Sequence, residues 1–330
     1  MNPWRVLFGC GSGALLAALV LNAQTAPPSQ AVNPAAPPAA IRFYAPYIMI
    51  RPNLDLAQIS DASGVKFFTL AFVLDSGGCQ ASWGGRTPLA QETSLAATIA
   101  SLRARGGDVI VSFGGAGGRE LAVGCETAAA LQAQYQAVMD KYGATMFDLD
   151  IEGRSLANKE AVDRRNVALA ALKAANPRLQ ISYTLAVETN GLTQGGIDLL
   201  KNAMSHGVEV NVVSVMTMDY GGAADPKQMG PHTISATGGT VAQLRANGIP
   251  AQIGIIPMIG LNDNRPEVFT LADAKLIMDW AQTNPLIVRM SMWSVGRDQP
   301  CAGGAATVGN ACSGIPQDPY GFSKILNAFH

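Results

Sequence analysis

Residues 146–152 read Met-Phe-Asp-Leu-Asp-Ile-Glu, and their types and spacing are suited to handling a proton. Asp148, Asp150 and Glu152 alternate with Phe147, Leu149 and Ile151. Strict alternation is the signature of a β-strand. On a strand every second side chain shares a face, about 6.6 Å along. The three acids therefore form a row, and the opposite face is apolar and must be buried. A row of buried carboxyls is costly unless it faces a wet cavity or shares protons. A calcium loop would want more oxygen ligands and a tight glycine turn, and neither accompanies this run.

Other strand ends change character in the same way. Ser112-Phe113-Gly114-Gly115 closes one apolar run with small residues that leave room above it. Met216-Thr217-Met218-Asp219-Tyr220 closes another, and Met292-Trp293-Ser294 a third. An indole such as Trp293 offers a flat apolar face on which a sugar ring can stack. Trp83, in a Gly-rich stretch, reads either as a platform of this kind or as a loop plug. The histidines, His206, His232 and His330, have no metal-site spacing, and no Gly-x-Ser-x-Gly accompanies them. Serine-hydrolase chemistry is thus disfavoured.

These residues need a frame. Eight β-type runs are expected at 42–50, 67–74, 108–113, 145–152, 180–187, 211–218, 251–258 and 288–294. Helix-like segments at 54–63, 92–105, 128–142, 158–175, 195–205, 240–247, 271–283 and 318–329 separate and follow them. Strand then helix, eight times, in a unit of this size points to an α/β fold, a (β/α)8 TIM barrel forming a single catalytic domain. A doubly wound open sheet is the runner-up, disfavoured because no Gly-x-Gly-x-x-Gly follows the first strand. In a barrel, catalytic groups sit at the C-terminal ends of the strands, where the acid row and its companions fall.

On these residues the chain resembles glycoside hydrolase family 18, the chitinase family. Asp148-Leu149-Asp150-Ile151-Glu152 is similar to the end of that family's Asp-x-x-Asp-x-Asp-x-Glu signature. Ser112-Phe113-Gly114-Gly115 resembles its Ser-x-Gly-Gly motif on the third strand. Residues 216–220 and Trp293 resemble its sixth- and eighth-strand motifs. The match runs from about residue 41 to the end and looks most like compact bacterial secreted chitinases. Two positions depart from the pattern. The family's first Asp falls on Thr145, expected to point away from the site. The sixth-strand Tyr of many members falls on Met218, with Tyr220 two residues later, so which of the two meets a substrate acetamido group stays open.

The resemblance implies cleavage of β-1,4 bonds between N-acetylglucosamine units, with chitin or a chitooligosaccharide as substrate. It implies a substrate-assisted, retaining mechanism in which the 2-acetamido oxygen attacks the anomeric carbon. Glu152 would be the general acid, Asp150 would hold the acetamido N–H, and Asp148 would share a proton with Asp150. Met216, Met218, Asp219, Tyr220, Trp293, Ser112, Gly114 and Gly115 would bind or surround the sugar. No metal and no cofactor is required. An endo-β-N-acetylglucosaminidase acting on N-glycans shares the same acid row, and a non-catalytic carbohydrate-binding barrel shares the fold. A polysaccharide deacetylase would want a metal site that the spacing lacks.

The front of the chain reads as a targeting segment. Arg5 gives a positive start, residues 15–21 an apolar stretch, and Ala23 or Ala26 a cleavage position. Residues 1–23 are expected as a signal peptide, 24–40 as an Ala/Pro-rich linker and 41–330 as the folded domain, placing the protein outside the cytoplasm. Cys10 resembles a lipobox cysteine, but the apolar run follows it instead of preceding it. In an exported chain Cys79, Cys125, Cys301 and Cys312 allow three pairings. Cys301–Cys312 is the natural local pair, and Cys79–Cys125 follows by elimination. A net charge of −1 with no basic block argues against nucleic acid and, once the signal is removed, against a membrane surface. A monomer is the default expectation.

Overall fold

The computed structural model describes residues 42–222, 224–304 and 309–330; the expected signal peptide and linker lie outside the described residues. Each expected apolar run forms a strand. They are β1, in two pieces (Phe43–Tyr44 and Tyr47–Met49), β2 (Phe67–Asp75), β3 (Asp108–Gly114), β4 (Met146–Asp150), β5 (Gln180–Glu188), β6 (Val212–Thr217), β7 (Gln252–Pro257) and β8 (Ile287–Met290). The helices between and after them are α1 (Leu56–Ser63), α2 (Leu95–Arg103), α3 (Ala128–Tyr142), α4 (Lys159–Ala175), α5 (Gln194–Ser205), α6 (Met229–Ala246), α7 (Leu271–Gln282) and α8 (Gly321–Leu326).

Neighbouring strands from β2 to β8 pair in parallel and in sequence order. The two pieces of β1 close the ring. Phe43 and Tyr44 pair with Arg289 and Met290 of β8, and Tyr47 pairs with Thr69 of β2. Pro46 lies between the pieces and has no N–H to give to a ladder, which interrupts the expected continuous strand. Bonding carries on around it: Ala45 N donates to Met290 O, Tyr47 N to Met292 O, and Thr69 N to Pro46 O. The architecture is a (β/α)8 barrel, and the open-sheet alternative is set aside.

The alternation of β4 does what its pattern predicts. Phe147 turns outward and packs edge-on against Phe113 and Tyr135 of α3, with ring centroids 4.8 and 6.1 Å away. Asp148 and Asp150 turn inward. The bottom of the interior is plugged by Ala45, Ile110 and Met146, flanked by Phe43 and Phe67. Thr145 lies just before β4, at the end away from the acids, and is exposed. The strand stops at Asp150, so Glu152 stands one step beyond it, heading a short helical turn, Gly153–Ala157. Past Met290 the regular β8 gives way to isolated bonds, Ser291 N to Ile255 O and Trp293 N to Pro257 O, which carry the chain to Trp293.

Helix α6 is much longer than the expected 240–247. Its first half, Met-Gly-Pro-His-Thr-Ile-Ser-Ala-Thr-Gly-Gly, has the composition of a loop. Pro231 is tolerated because it stands in the first turn, where N–H groups have no intrahelical partner. Thr233, Thr237 and Thr240 are buried and each donates its hydroxyl to the carbonyl four residues back. Gly239 is there for contact: the β5 extension Gly191–Leu192 crosses it so closely that a Cβ would lie 1.9 Å from Asn190 O.

Both expected disulfides form. Cys79–Cys125 ties the loop after β2 to the segment before α3, and Cys301–Cys312 closes the loop after β8. Among the described residues no helix is long and apolar enough to cross a membrane.

Adjacent glycines in α6 give a sharp test of the crossing. A Cβ on Gly238 would meet nothing within 4 Å, while one on Gly239 would strike Asn190 O. Gly238→Ala should stabilise the protein by up to ~1 kcal/mol, the usual helix preference. Gly239→Ala should destabilise it by about 1–3 kcal/mol, as overpacking does. Thermal melts of the two variants that moved Tm in the same direction would contradict this packing.

Candidate active site

A cleft of about 280 Å³ opens at the C-terminal end of the strands. Asp150, Glu152, Met216, Met218, Asp219 and Trp293, all singled out in the sequence, line it. Tyr47, Phe72, Thr184, Met258, Asp263 and Asn310 also line it.

Asp148 lies beneath the cleft and is 1% exposed. Four hydroxyls converge on its carboxylate. Oδ2 accepts from Ser112 Oγ at 2.7 Å and Tyr47 Oη at 2.8 Å. Oδ1 accepts from Thr184 Oγ1 at 2.8 Å and Ser182 Oγ at 3.0 Å. The donors come from β3, β1 and β5, so the barrel surrounds this acid. A carboxylate with each oxygen taking two donors is fully satisfied as an anion.

Asp150, one layer up and 5% exposed, has no such set of donors. Its Oδ1 has no hydrogen-bond partner. Burial, then the neighbouring charges of Glu152 and Asp148, then a side-chain hydrogen bond with Glu152, push its pKa well above the usual carboxyl range. Glu152 is also raised, chiefly by burial and further by the charge of Asp219, while its bond to Asp150 pulls the other way. Both acids are therefore biased towards their protonated forms, and as neighbours they titrate as a coupled pair. Where the sequence suggested that Asp148 and Asp150 share a proton, the contacts differ: four hydroxyls occupy Asp148, and the side-chain partner of Asp150 is Glu152.

Gly114 and Gly115 do not line the cleft. Both have positive φ, and Gly115 N donates to Asp150 O at 2.8 Å. A Cβ on Gly114 would lie 2.1 Å from that same oxygen, and one on Gly115 would strike the Phe72 ring. The Ser-Phe-Gly-Gly run therefore shapes the site from behind: Ser112 holds Asp148, and the glycines let the backbone close on Asp150.

The floor is aromatic. Trp293 stacks on Phe72 with centroids 5.7 Å apart and planes 12° apart, and Tyr47 packs obliquely on both. Tyr220 is placed elsewhere. Its ring packs edge-on against His232 of α6, its N donates to Glu267 Oε2, and it does not line the cleft. The reversal comes at Asp219, whose φ is +50°; its N donates to Asn262 Oδ1 and its Oδ1 accepts from Asn264 N. Met218 occupies the cleft instead, packed with Tyr47, Phe72 and Trp293. Trp83 is a plug: it is buried, and its Nε1 donates to Tyr142 Oη at 2.8 Å.

Sequence reasoning passed over Tyr47, Phe72 and Thr184 because they sit inside ordinary apolar runs. Their only signal was inward parity at the strand ends. Asp263 and Asn310 lie on loops whose approach to the cleft no local pattern announces. Among the described residues no group of three His, Cys, Asp or Glu side chains is placed to hold a metal ion.

No family model matches the chain. It is 34% identical over 312 residues to a probable bifunctional chitinase/lysozyme of Escherichia coli (strain K12), covering 87% of this chain and 34% of that protein. It is 35% identical over 282 residues to endochitinase 11 of Metarhizium anisopliae, covering 78% and 53%. The chain thus spans about a third and about half of these relatives' lengths. Active domain 2 of the thermostable chitinase from Pyrococcus furiosus, crystallised as catalytic-site mutants complexed with chito-oligosaccharides, matches with a TM-score of 0.76 and 31% identity over 88% of this chain and 96% of that one. With that coverage, and with the acid row set at the mouth of the barrel, the chain belongs to the chitinases of glycoside hydrolase family 18.

Proposed function

We propose that this domain hydrolyses β-1,4 bonds between N-acetylglucosamine units of chitin or chitooligosaccharides, by a substrate-assisted mechanism that retains anomeric configuration. The observation that carries the reading is the buried Asp150–Glu152 pair, both acids pushed towards protonation, at a cleft lined by Trp293.

The chemistry follows from that pair. The leaving glycosidic oxygen needs a proton, and Glu152, the outer acid, supplies it. Burial and the charge of Asp219 hold that proton to a higher pH than an ordinary glutamic acid would. As Glu152 loses it, the pair goes from one negative charge to two. Asp150 then accepts the acetamido N–H and balances the positive charge that grows on the ring formed when the acetamido oxygen attacks the anomeric carbon. Water opens that ring, with Glu152 acting as base, and configuration is retained over the two steps. Trp293 supports the sugar's apolar face. Met218 and Met216 supply apolar contact.

Export fits the same reading. Two disulfides within the folded unit need an oxidising compartment to form and persist. The domain is proposed to act outside the cytoplasm and as a monomer.

Hydrolysis of a defined N-acetylglucosamine hexamer, with products followed by NMR, tests the function directly. Dimer and trimer released first as the β-anomer are expected. Release of the α-anomer would reject the retaining mechanism. No cleavage of the hexamer, with release of glycans from a high-mannose glycoprotein, would move the assignment to an endo-β-N-acetylglucosaminidase. Glu152→Gln should retain the fold and lose ~10²-fold or more in kcat, as removal of a general acid does; near-normal turnover would remove Glu152 from that role. Trp293→Ala should raise KM about 5–10-fold through loss of ring contact. An unchanged KM on oligomers would reduce Trp293 to packing.

A further inference from the structure

The barrel interior contains a buried cation that the reaction scheme above does not use. Arg289 of β8 points inward and is 5% exposed. Its guanidinium lies over the ring of Phe43, with Cζ 5.3 Å from the centroid, just above the apolar plug. Its Nη1 donates to Ser182 Oγ at 2.9 Å, and Ser182 Oγ in turn donates to Asp148 Oδ1 at 3.0 Å. Space for so long a side chain is made by its neighbours. Gly254 stands opposite Arg289 in the register, and the next strand presents Ser214. The Nε of Arg289 has no hydrogen-bond partner.

A guanidinium is seldom placed in such a site for stability. A hydrophobic residue of similar volume would fit between Phe43 and the serine layer at less desolvation cost. The titratable groups that act on Arg289 are Asp148 of β4 and Tyr47 of β1, both favouring its charged form against burial. The strands β5, β6 and β7 present Ser182, Ser214 and Gly254, which carry no charge. Above Asp148 stand Asp150 and Glu152, with Asp219 beyond them.

We propose that Arg289 is a positioning residue of the acid row: acting through the Ser182 hydroxyl, it holds Asp148 as the fixed anion and so confines the working proton to Asp150 and Glu152. The inference rests on the reading of Glu152 as general acid. Its physical content is a choice between three stacked carboxyls. Four hydroxyls alone can serve either form of Asp148, since a hydroxyl can turn from donor to acceptor. Arg289 cannot turn: it only donates. Ser182 Oγ, accepting from Arg289, keeps its own proton for its two acceptors on β4, Asp148 Oδ1 and the Phe147 carbonyl. Removing the cation lets Asp148 take a proton, which frees Asp150 of one opposing charge and weakens the hold on the proton at Glu152.

The test is the pH–rate profile for chitooligosaccharide hydrolysis by the full chain. For activity Asp148 must stay anionic, so losing the cation moves the acid limb of kcat upward. Arg289→Met is expected to shift that limb up by about one pH unit and lower kcat more than it changes KM. Arg289→Lys, which keeps the charge, should restore the limb to near the wild-type position. Ser182→Ala, which breaks the link and leaves the cation, should shift it in the same direction by less. If Arg289→Met does not fold, Ser182→Ala and Arg289→Lys carry the test: a displaced limb in the first and a retained one in the second support the proposal. An acid limb unchanged in Ser182→Ala, or in a folded Arg289→Met, overturns it. Should Glu152→Gln remain active, the general-acid reading fails first; should Glu152→Gln be inactive and the Arg289 and Ser182 profiles unmoved, only this inference fails.

Discussion

Three carboxyls stacked on one buried strand cannot all be ionised, and the rest of the domain is arranged around that constraint. Asp148 and Asp150 follow one another on the strand about 6.6 Å apart, Glu152 reaches back to Asp150 from just beyond it, and out of bulk water their like charges favour a proton in the row. The structure divides the task by depth. Asp148, lowest, receives four hydroxyl donors and can stand as an anion. Asp150, above it, has one oxygen without a partner and leans towards protonation beside Glu152. A uniform environment would have spread the proton over the row. In the proposed reaction the gradient of donors from bottom to top puts it at the end that faces the cleft.

A closed ring is what allows such a gradient. The donors to Asp148 come from β1, β3 and β5, which an open sheet would hold side by side and not around a centre. The polar layer sits between two apolar ones, the Phe43–Phe67 plug below and the Phe72–Trp293 stack above. Packed side chains close the row below, and the cleft opens above it. Low dielectric then strengthens every interaction within the row.

Much of this was legible in the sequence, because period-2 alternation reports the two faces of a strand directly. The eight strands, the placing of Asp148, Asp150 and Glu152 on one face, and both disulfides follow from pattern and spacing. What escaped is what depends on a second element. The first half of helix α6 looked like a loop because Gly239 answers to the backbone at Asn190 and its threonines answer to their own helix carbonyls. Tyr220 looked like a cleft residue because it ends a strand, yet the left-handed turn at Asp219 sends it under α6 and leaves Met218 in the cleft. Gly114 and Gly115 read as space for a sugar, but the space is taken by the Asp150 carbonyl and the Phe72 ring. Tyr47 and Thr184 carried no local mark, since a residue that donates across a barrel is defined by its partner's strand.

Tyr47 shows why these parts cannot be separated. It sits on the piece of β1 that closes the ring, paired with Thr69 of β2. Its hydroxyl donates to Asp148, and its ring packs on both Phe72 and Trp293. Phe72 in turn fills the room that the missing side chain of Gly115 leaves, and Gly115 N is bonded to Asp150 O. A shift of the aromatic floor would therefore pull on the donor to the lower acid and on the backbone of the middle one. The platform that receives a sugar and the row that holds the proton are fixed relative to each other by shared atoms. That is the condition for proton transfer, which falls off steeply when donor and acceptor drift by a fraction of an ångström from their working geometry.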